Sequence, residues 1–331
     1  MIRILIGLLL VVSQAGCQTP GLRDDSISST SVQAGVELIV LGIAQDGGVP
    51  HLGCQKPCCV EARNKKLRLG PASLAVVDHR SESVFLVEAT PAIEEQLSLL
   101  RELTGFSNVG RLPVSGVLLT HAHIGHYTGL IHFGREVAST DGIEVICTSR
   151  MASFLRNNGP WSQLVELGQI FPLEVRRGTP VDLAQGITAT AIKVSHRDEF
   201  SDTVAWRIEG PEKTVLFCPD IDRWDGGVLE ALIEGVDICY LDATFYDGRE
   251  LPGRDLSEIP HPPMVVMHSF CPRAFAGARV NRLQHWRFLN PVIHQDFENY
   301  RRRVELTIRH VECEQRDEEG QQEIEALYFR E

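Results

Sequence analysis

Short apolar runs, most of them closed by polar or glycine-rich turns, recur along this chain and predict its elements. Val36 to Ile43 predicts a first core strand, and Ala44-Gln45-Asp46-Gly47-Gly48-Val49-Pro50 a turn after it. Strands are predicted at Ser73 to Asp78 and Ser83 to Glu88. Pro91 to Leu103 has helical periodicity, with Thr90 as N-cap and Pro91 at the first helical position. Gly116 to Leu119 reads as a short buried strand, Gly129 to Val137 as a helix, Ile143 to Thr148 as a strand and Arg150 to Asn157 as a helix. The second half opens with a strand from Ile187 to Val194. A strand pair follows, Thr203 to Ile208 and Thr214 to Cys218, turned around Glu209-Gly210-Pro211-Glu212. Val228 to Ile233 is helical in pattern, and Val236 to Leu241 and Met264 to Met267 are strands. After Pro291 the pattern predicts a helix over Phe297 to Arg303 and a hairpin from Val304 to Cys313 and Glu323 to Phe329. Strands in each half with helices between them predict two sheets packed face to face with helices outside.

Charge narrows the function. A formal net charge of -12 over 331 residues leaves no basic surplus for phosphate backbones, which excludes a general nucleic-acid binder. The N-terminus departs from the rest of the chain. Arg3, an apolar run from Ile4 to Val12, and Ser13-Gln14-Ala15-Gly16-Cys17 make an export signal over residues 1–17. Cleavage after Ala15 and lipidation of Cys17 both fit, and the second would be the only link to a membrane. Residues 18–35 have the composition of a flexible tether, residues 36–291 form the main domain, and residues 292–331 form a C-terminal extension.

The chemistry gathers at strand ends. Leu118-Leu119-Thr120-His121-Ala122-His123-Ile124-Gly125-His126 places three histidines within six residues, just past a buried strand. Two imidazoles at i, i+2 on a loop leaving a sheet can meet one metal ion, zinc or iron. His196, Asp220, Asp242 and His268 also follow apolar runs.

In this order, His121, His123 and His126, then His196, then Asp220, then His268, the chain resembles the metallo-β-lactamase superfamily. The resemblance covers about Val36 to Pro291. It implies an α/β fold, an αββα sandwich of two mixed β-sheets with outer helices. It is strongest for the pyrroloquinoline-quinone biosynthesis protein B group, on Leu41-Gly-Ile-Ala-Gln-Asp-Gly-Gly-Val-Pro50, Ser195-His-Arg-Asp-Glu-Phe-Ser-Asp-Thr203 and Leu241-Asp-Ala-Thr-Phe-Tyr246. It implies a first metal site of His121, His123 and His196, and a second of Asp220, His126 and His268, holding one or two zinc ions or iron. One position departs from the pattern: Gly125 stands where the superfamily motif has an Asp that binds the second metal. A divalent ion in such a site would lower the pKa of its water, and Asp220 is the residue expected to orient that water and take its proton; with no carboxylate at 125, Asp198 or Asp222 nearby in sequence are the alternatives. Asp242 reads as a structural or supporting residue, and Glu88 and His132 carry no assigned chemistry.

Cys54, Cys58 and Cys59, with His51 nearby, are the only cluster among nine cysteines. A structural zinc, a disulfide and free thiols all suit them. Three functions follow: an exported metal-dependent hydrolase acting on an ester, phosphodiester or related bond of a small-molecule or peptide substrate; an iron-dependent oxygenase, as the similar group implies; or a non-catalytic metal- or ligand-binding protein.

Overall fold

A computed structural model describes residues 35–106, 112–224, 226–242, 244–245, 248, 253–263 and 279–282. The segment expected to be an export signal, nearly all of the expected tether, the strand expected at Met264 to Met267 and the stretch expected as a C-terminal extension lie outside the described residues.

In chain order the elements are β1 (Val36–Gly42), α1 (Pro57–Asn64), β2 (Ser73–Asp78), β3 (Ser83–Val87), α2 (Ile93–Thr104), β4 (Gly116–Leu118), α3 (Ile124–Tyr127), a 3-10 turn over Thr128–Phe133, β5 (Ile143–Thr148), α4 (Ser149–Asn157), α5 (Trp161–Glu166), β6 (Ile170–Val175), β7 (Pro180–Ala184), β8 (Ile187–Lys193), β9 (Val204–Glu209), β10 (Thr214–Cys218), α6 (Gly226–Ile233), β11 (Ile238–Leu241) and β12 (Arg279–Arg282). One sheet runs β1-β2-β3-β4-β5-β6 and the other β12-β11-β10-β9-β8-β7. Both are mixed. β1, β2 and β3 pair antiparallel and β3 to β6 parallel; β7 to β10 pair antiparallel and β10 to β12 parallel.

The period-two alternation of the strands builds the layers. Leu74, Val76, Phe85, Val87, Leu118 and Ile146 face Ile187, Ala189, Ala191, Trp206, Ile208 and Phe217 across the gap between the sheets. The alternate residues Ala75, Val77, Val84, Leu86 and Val117 pack outward with Ile93 and Leu100 of α2 and Met151 and Leu155 of α4. On the far side Leu216, Cys218, Cys239 and Leu241 pack with Leu229, Leu232 and Ile233 of α6. The result is the αββα sandwich.

Four details differ from the sequence reading. Helix α2 starts at Ile93 because the Thr90 hydroxyl is drawn into the turn before it, accepting from Ala92 N at 3.1 Å and donating to Gln96 Oε1 at 2.7 Å. The helix expected from Gly129 to Val137 is replaced by α3 and the 3-10 turn. Gly129 is pressed on the backbone after β3: its N–H bonds Ala89 O at 2.9 Å, and a Cβ there would sit 2.2 Å from Thr90 O. Strands β6 and β7 were not predicted; each carries a proline, Pro172 or Pro180, and each closes one edge of its sheet, where a missing N–H is tolerated. Helices α1 and α5 and strand β12 are likewise additional to the predicted elements.

Candidate metal centre

The histidine loop leaves β4 between the two sheets and is stapled to β9. Trp206 Nε1 donates to Leu119 O at 3.1 Å, Val204 N to Thr120 O at 3.1 Å, and Ala122 N to Ser201 Oγ at 2.9 Å. This holds His121 and His126 buried and His123 at the rim. His196 follows β8 and Asp220 follows β10, so β4, β8 and β10 deliver their last residues to one end of the sandwich. Asp220 Oδ2 lies 3.3 Å from His121 Nε2, 3.1 Å from His126 Nε2 and 3.5 Å from His196 Nε2.

Ligand atoms of His121, His123, His196 and Asp220 all lie within 4.8 Å of one another. A second group joins Asp46, His126 and Asp220, and a third Asp220, Asp242 and His261. The donors fit a metal. His126 Nε2 and His196 Nε2 are buried and make no hydrogen bond, although both approach the same carboxylate oxygen. Buried polar atoms without partners are rare unless they serve an ion, water or chemistry. Imidazole nitrogen with carboxylate oxygen is a donor set for zinc or iron.

Burial sets the protonation. It strips water from the His121 ring, and with the neighbouring His126 pushes its pKa down to about 3. Burial takes His196 down to about 4. Both are therefore neutral, with lone pairs to give, near pH 7. Burial alone would raise Asp220, but His126 and His121 outweigh it and hold the carboxyl well below its ordinary range. His126 goes the other way: burial opposes its charge, yet Asp220, Asp46 and Glu88 keep it well above the usual histidine range.

Supporting contacts orient the rings. Thr120 Oγ1 meets His121 Nδ1 at 2.8 Å, Glu199 Oε2 lies 2.9 Å from His123 Nε2, and Asp222 Oδ1 lies 3.3 Å from His196 Nδ1. Asp242 accepts from Ile221 N and Thr244 N, both at 3.1 Å, and its Oδ2 lies 2.7 Å from His261 Nδ1. Asp198 braces the loop by accepting from Thr203 N at 3.0 Å and pairing with Lys193.

Three residues at the site were not picked out by the sequence reading. Asp46 comes from the turn after β1 and His261 from a proline-rich stretch. Glu88, read as having no chemistry, is fully buried with its Oε2 3.7 Å from His126 Nδ1, and burial raises its pKa. Its φ of 81° is a strained setting for a non-glycine residue, and only the structure reveals it. His132 faces Glu94 at 3.1 Å, away from the centre. His268 lies outside the described residues.

The cysteine cluster is not assembled in the same way. Cys54, Cys58 and Cys59 are free thiols, and among the described residues no three ligand atoms from them and His51 gather within 4.8 Å. Cys59 Sγ accepts from His51 N at 3.3 Å, and burial pushes its thiol up to about 11. Cys147, Cys218 and Cys239 are buried in the core.

An αββα sandwich with histidines and aspartate converging at its strand ends defines the class, and the chain belongs to the metallo-β-lactamase superfamily. The family described as beta-lactamase superfamily domain matches residues 84–282. Within it the chain is PqqB-like. It is 27% identical over 236 residues to the coenzyme PQQ synthesis protein B of Methylobacterium sp. (strain 4-46), covering 64% of this chain and 74% of that one. Zn(2+)-bound PqqB from Methylobacterium extorquens superposes with a TM-score of 0.65 at 18% identity, over 81% of this chain and 95% of that one. A diphosphatase from the PhnP family has a TM-score of 0.56 at 18% identity, over 79% and 91%.

Proposed function

We propose that the protein is an exported metal-dependent hydrolase whose metal, most simply zinc, is held by His121, His123, His196 and Asp220. The observation that carries this reading is the convergence of four ligand atoms within 4.8 Å, two of the rings being held neutral by burial. A bound divalent cation supplies Lewis acidity and brings water close to ionisation near neutral pH, with a pKa of about 7.

The chain's own residues complete the chemistry. Asp220, fixed behind the rings and ionised, orients water and accepts its proton. Glu199 and Asp222 hold the His123 and His196 rings in place from outside. Arg197 Nη2 reaches to 3.5 Å from His123 Nδ1 at the exposed rim, where a guanidinium suits an anionic substrate. A phosphoester is therefore the first class to test, and the diphosphatase neighbour supports the same order of trial.

The test is hydrolysis of a chromogenic phosphodiester, an ester and a lactam by zinc-loaded and chelator-treated protein. Turnover that chelation abolishes and zinc restores is expected. Iron retained at the site with oxygen consumption, and no hydrolysis, would replace this reading with an oxygenase. Intact-mass analysis of the protein from its membrane and soluble fractions tests the export step and the lipid on Cys17.

A further inference from the structure

We infer that Asp46, from the turn after β1, is a ligand of a second cation beside His126 and Asp220, doing from a distant part of the chain what Gly125 cannot. The inference rests on the metal-site reading above and concerns Asp46 and His126, which that reading leaves unused, with Asp220 shared between the two groups.

The turn is built to hold one side chain in place. Ile43 N and Ala44 N both donate to Gly70 O, at 3.0 and 2.9 Å, and Ala72 N donates to Ala44 O at 2.8 Å. Gly48 N closes the turn on Gln45 O at 2.7 Å, and Val49 and Leu69 exchange bonds of 2.9 and 2.8 Å. Asp46 is thus pinned from both sides by backbone bonds. Its Oδ1 lies 3.4 Å from His126 Nε2, and its ligand atom groups with those of His126 and Asp220 within 4.8 Å.

The space for it comes from Gly125. A Cβ built on Gly125 would sit 2.3 Å from Asp46 Cγ and 2.5 Å from both Asp46 Cβ and Oδ1. Real side chains do not approach so closely, so a side chain at 125 and the Asp46 carboxylate exclude each other. The missing carboxylate at 125 and the added carboxylate at 46 are one exchange: the same corner of the site is filled from another loop. Gly125 is then a requirement of the centre and not a loss.

The exchange is tested by zinc titration calorimetry on chelator-stripped protein, with circular dichroism as a check on folding. Asp46→Ala should bind one zinc equivalent fewer than wild type, or bind one equivalent at least tenfold more weakly. The double variant Asp46→Gly with Gly125→Asp should recover it. Asp46→Ala with wild-type stoichiometry and affinities within twofold would overturn the inference. So would a folded double variant that remains one equivalent short. Failure of wild type to bind any zinc would instead remove the metal-site reading on which this one rests.

Discussion

Asp220 links the site together, since its Oδ2 atom lies 3.1 to 3.5 Å from ring nitrogens of three histidines. Asp220→Ala should lower kcat by roughly 10²–10⁴-fold, the span of a lost general base, and weaken metal binding as well. Steady-state rates with metal content measured on the same sample check it; full turnover with metal still bound would remove Asp220 from the chemistry. A second residue tests the fold and not the site. The buried Asp78 carboxylate accepts from Arg80 N, Arg80 Nε and Ser81 Oγ, and Arg80 goes on to bond Gln185 O at 2.8 Å. The Arg80 guanidinium holds the Asp78 carboxyl below its ordinary range. A depressed folded-state pKa stabilises above the unfolded value of about 3.9 and ceases to as pH falls through the folded value. Asp78→Asn should therefore cost about 1–3 kcal/mol at pH 7 and progressively less below about pH 4, read by denaturant titration at both pH values. At this scale the sequence reveals only part of the site. His121, His123, His196 and Asp220 were legible because they sit at strand ends in a known order. Asp46 and His261 were not, because nothing local in a glycine turn or a proline stretch says that a distant loop will meet it. Glu88 looked like any strand-end residue until its burial against His126 was visible.

Strands written as short, nearly unbroken apolar runs were legible to within a residue or so, as β2, β5 and β10 show, because almost every residue in them is buried. The edges β6 and β7 were missed because proline lowers the strand signal while edge positions remove its cost. The histidine loop explains why the missed helix boundary matters. Gly129 N bonds Ala89 O, and Ala89 N in turn bonds His126 O, both at 2.9 Å, so the 3-10 turn is clamped to the end of β3 and fixes His126. The other clamp is Trp206 on β9, fully buried, reaching Leu119 O. Trp206→Phe leaves that side-chain bond unmade and a gap between the sheets. We predict a loss of about 1–3 kcal/mol from the bond, more if the gap does not close. Chemical denaturation measures it; a loss under a few tenths would mean that the Leu119 carbonyl is satisfied without Trp206.

The whole molecule places two apolar layers behind one polar end. Four buried histidine and aspartate side chains, His121, His126, His196 and Asp220, crowd there without enough hydrogen bonds among the histidines, which costs stability in the metal-free chain. A ligand that binds only the folded state should repay that cost: zinc at about 100 times its Kd stabilises by about 2.7 kcal/mol. Thermal unfolding should therefore shift upward with zinc and downward with chelator, and no shift in either direction would separate the cluster from metal.

Elemental analysis of purified wild type beside His121→Ala and His196→Ala is the most direct test of the centre. Wild type should carry at least one equivalent of zinc or iron, and each folded variant should have at least one equivalent less. A wild type that takes up no metal after reconstitution, or folded variants with wild-type metal content, would contradict the account.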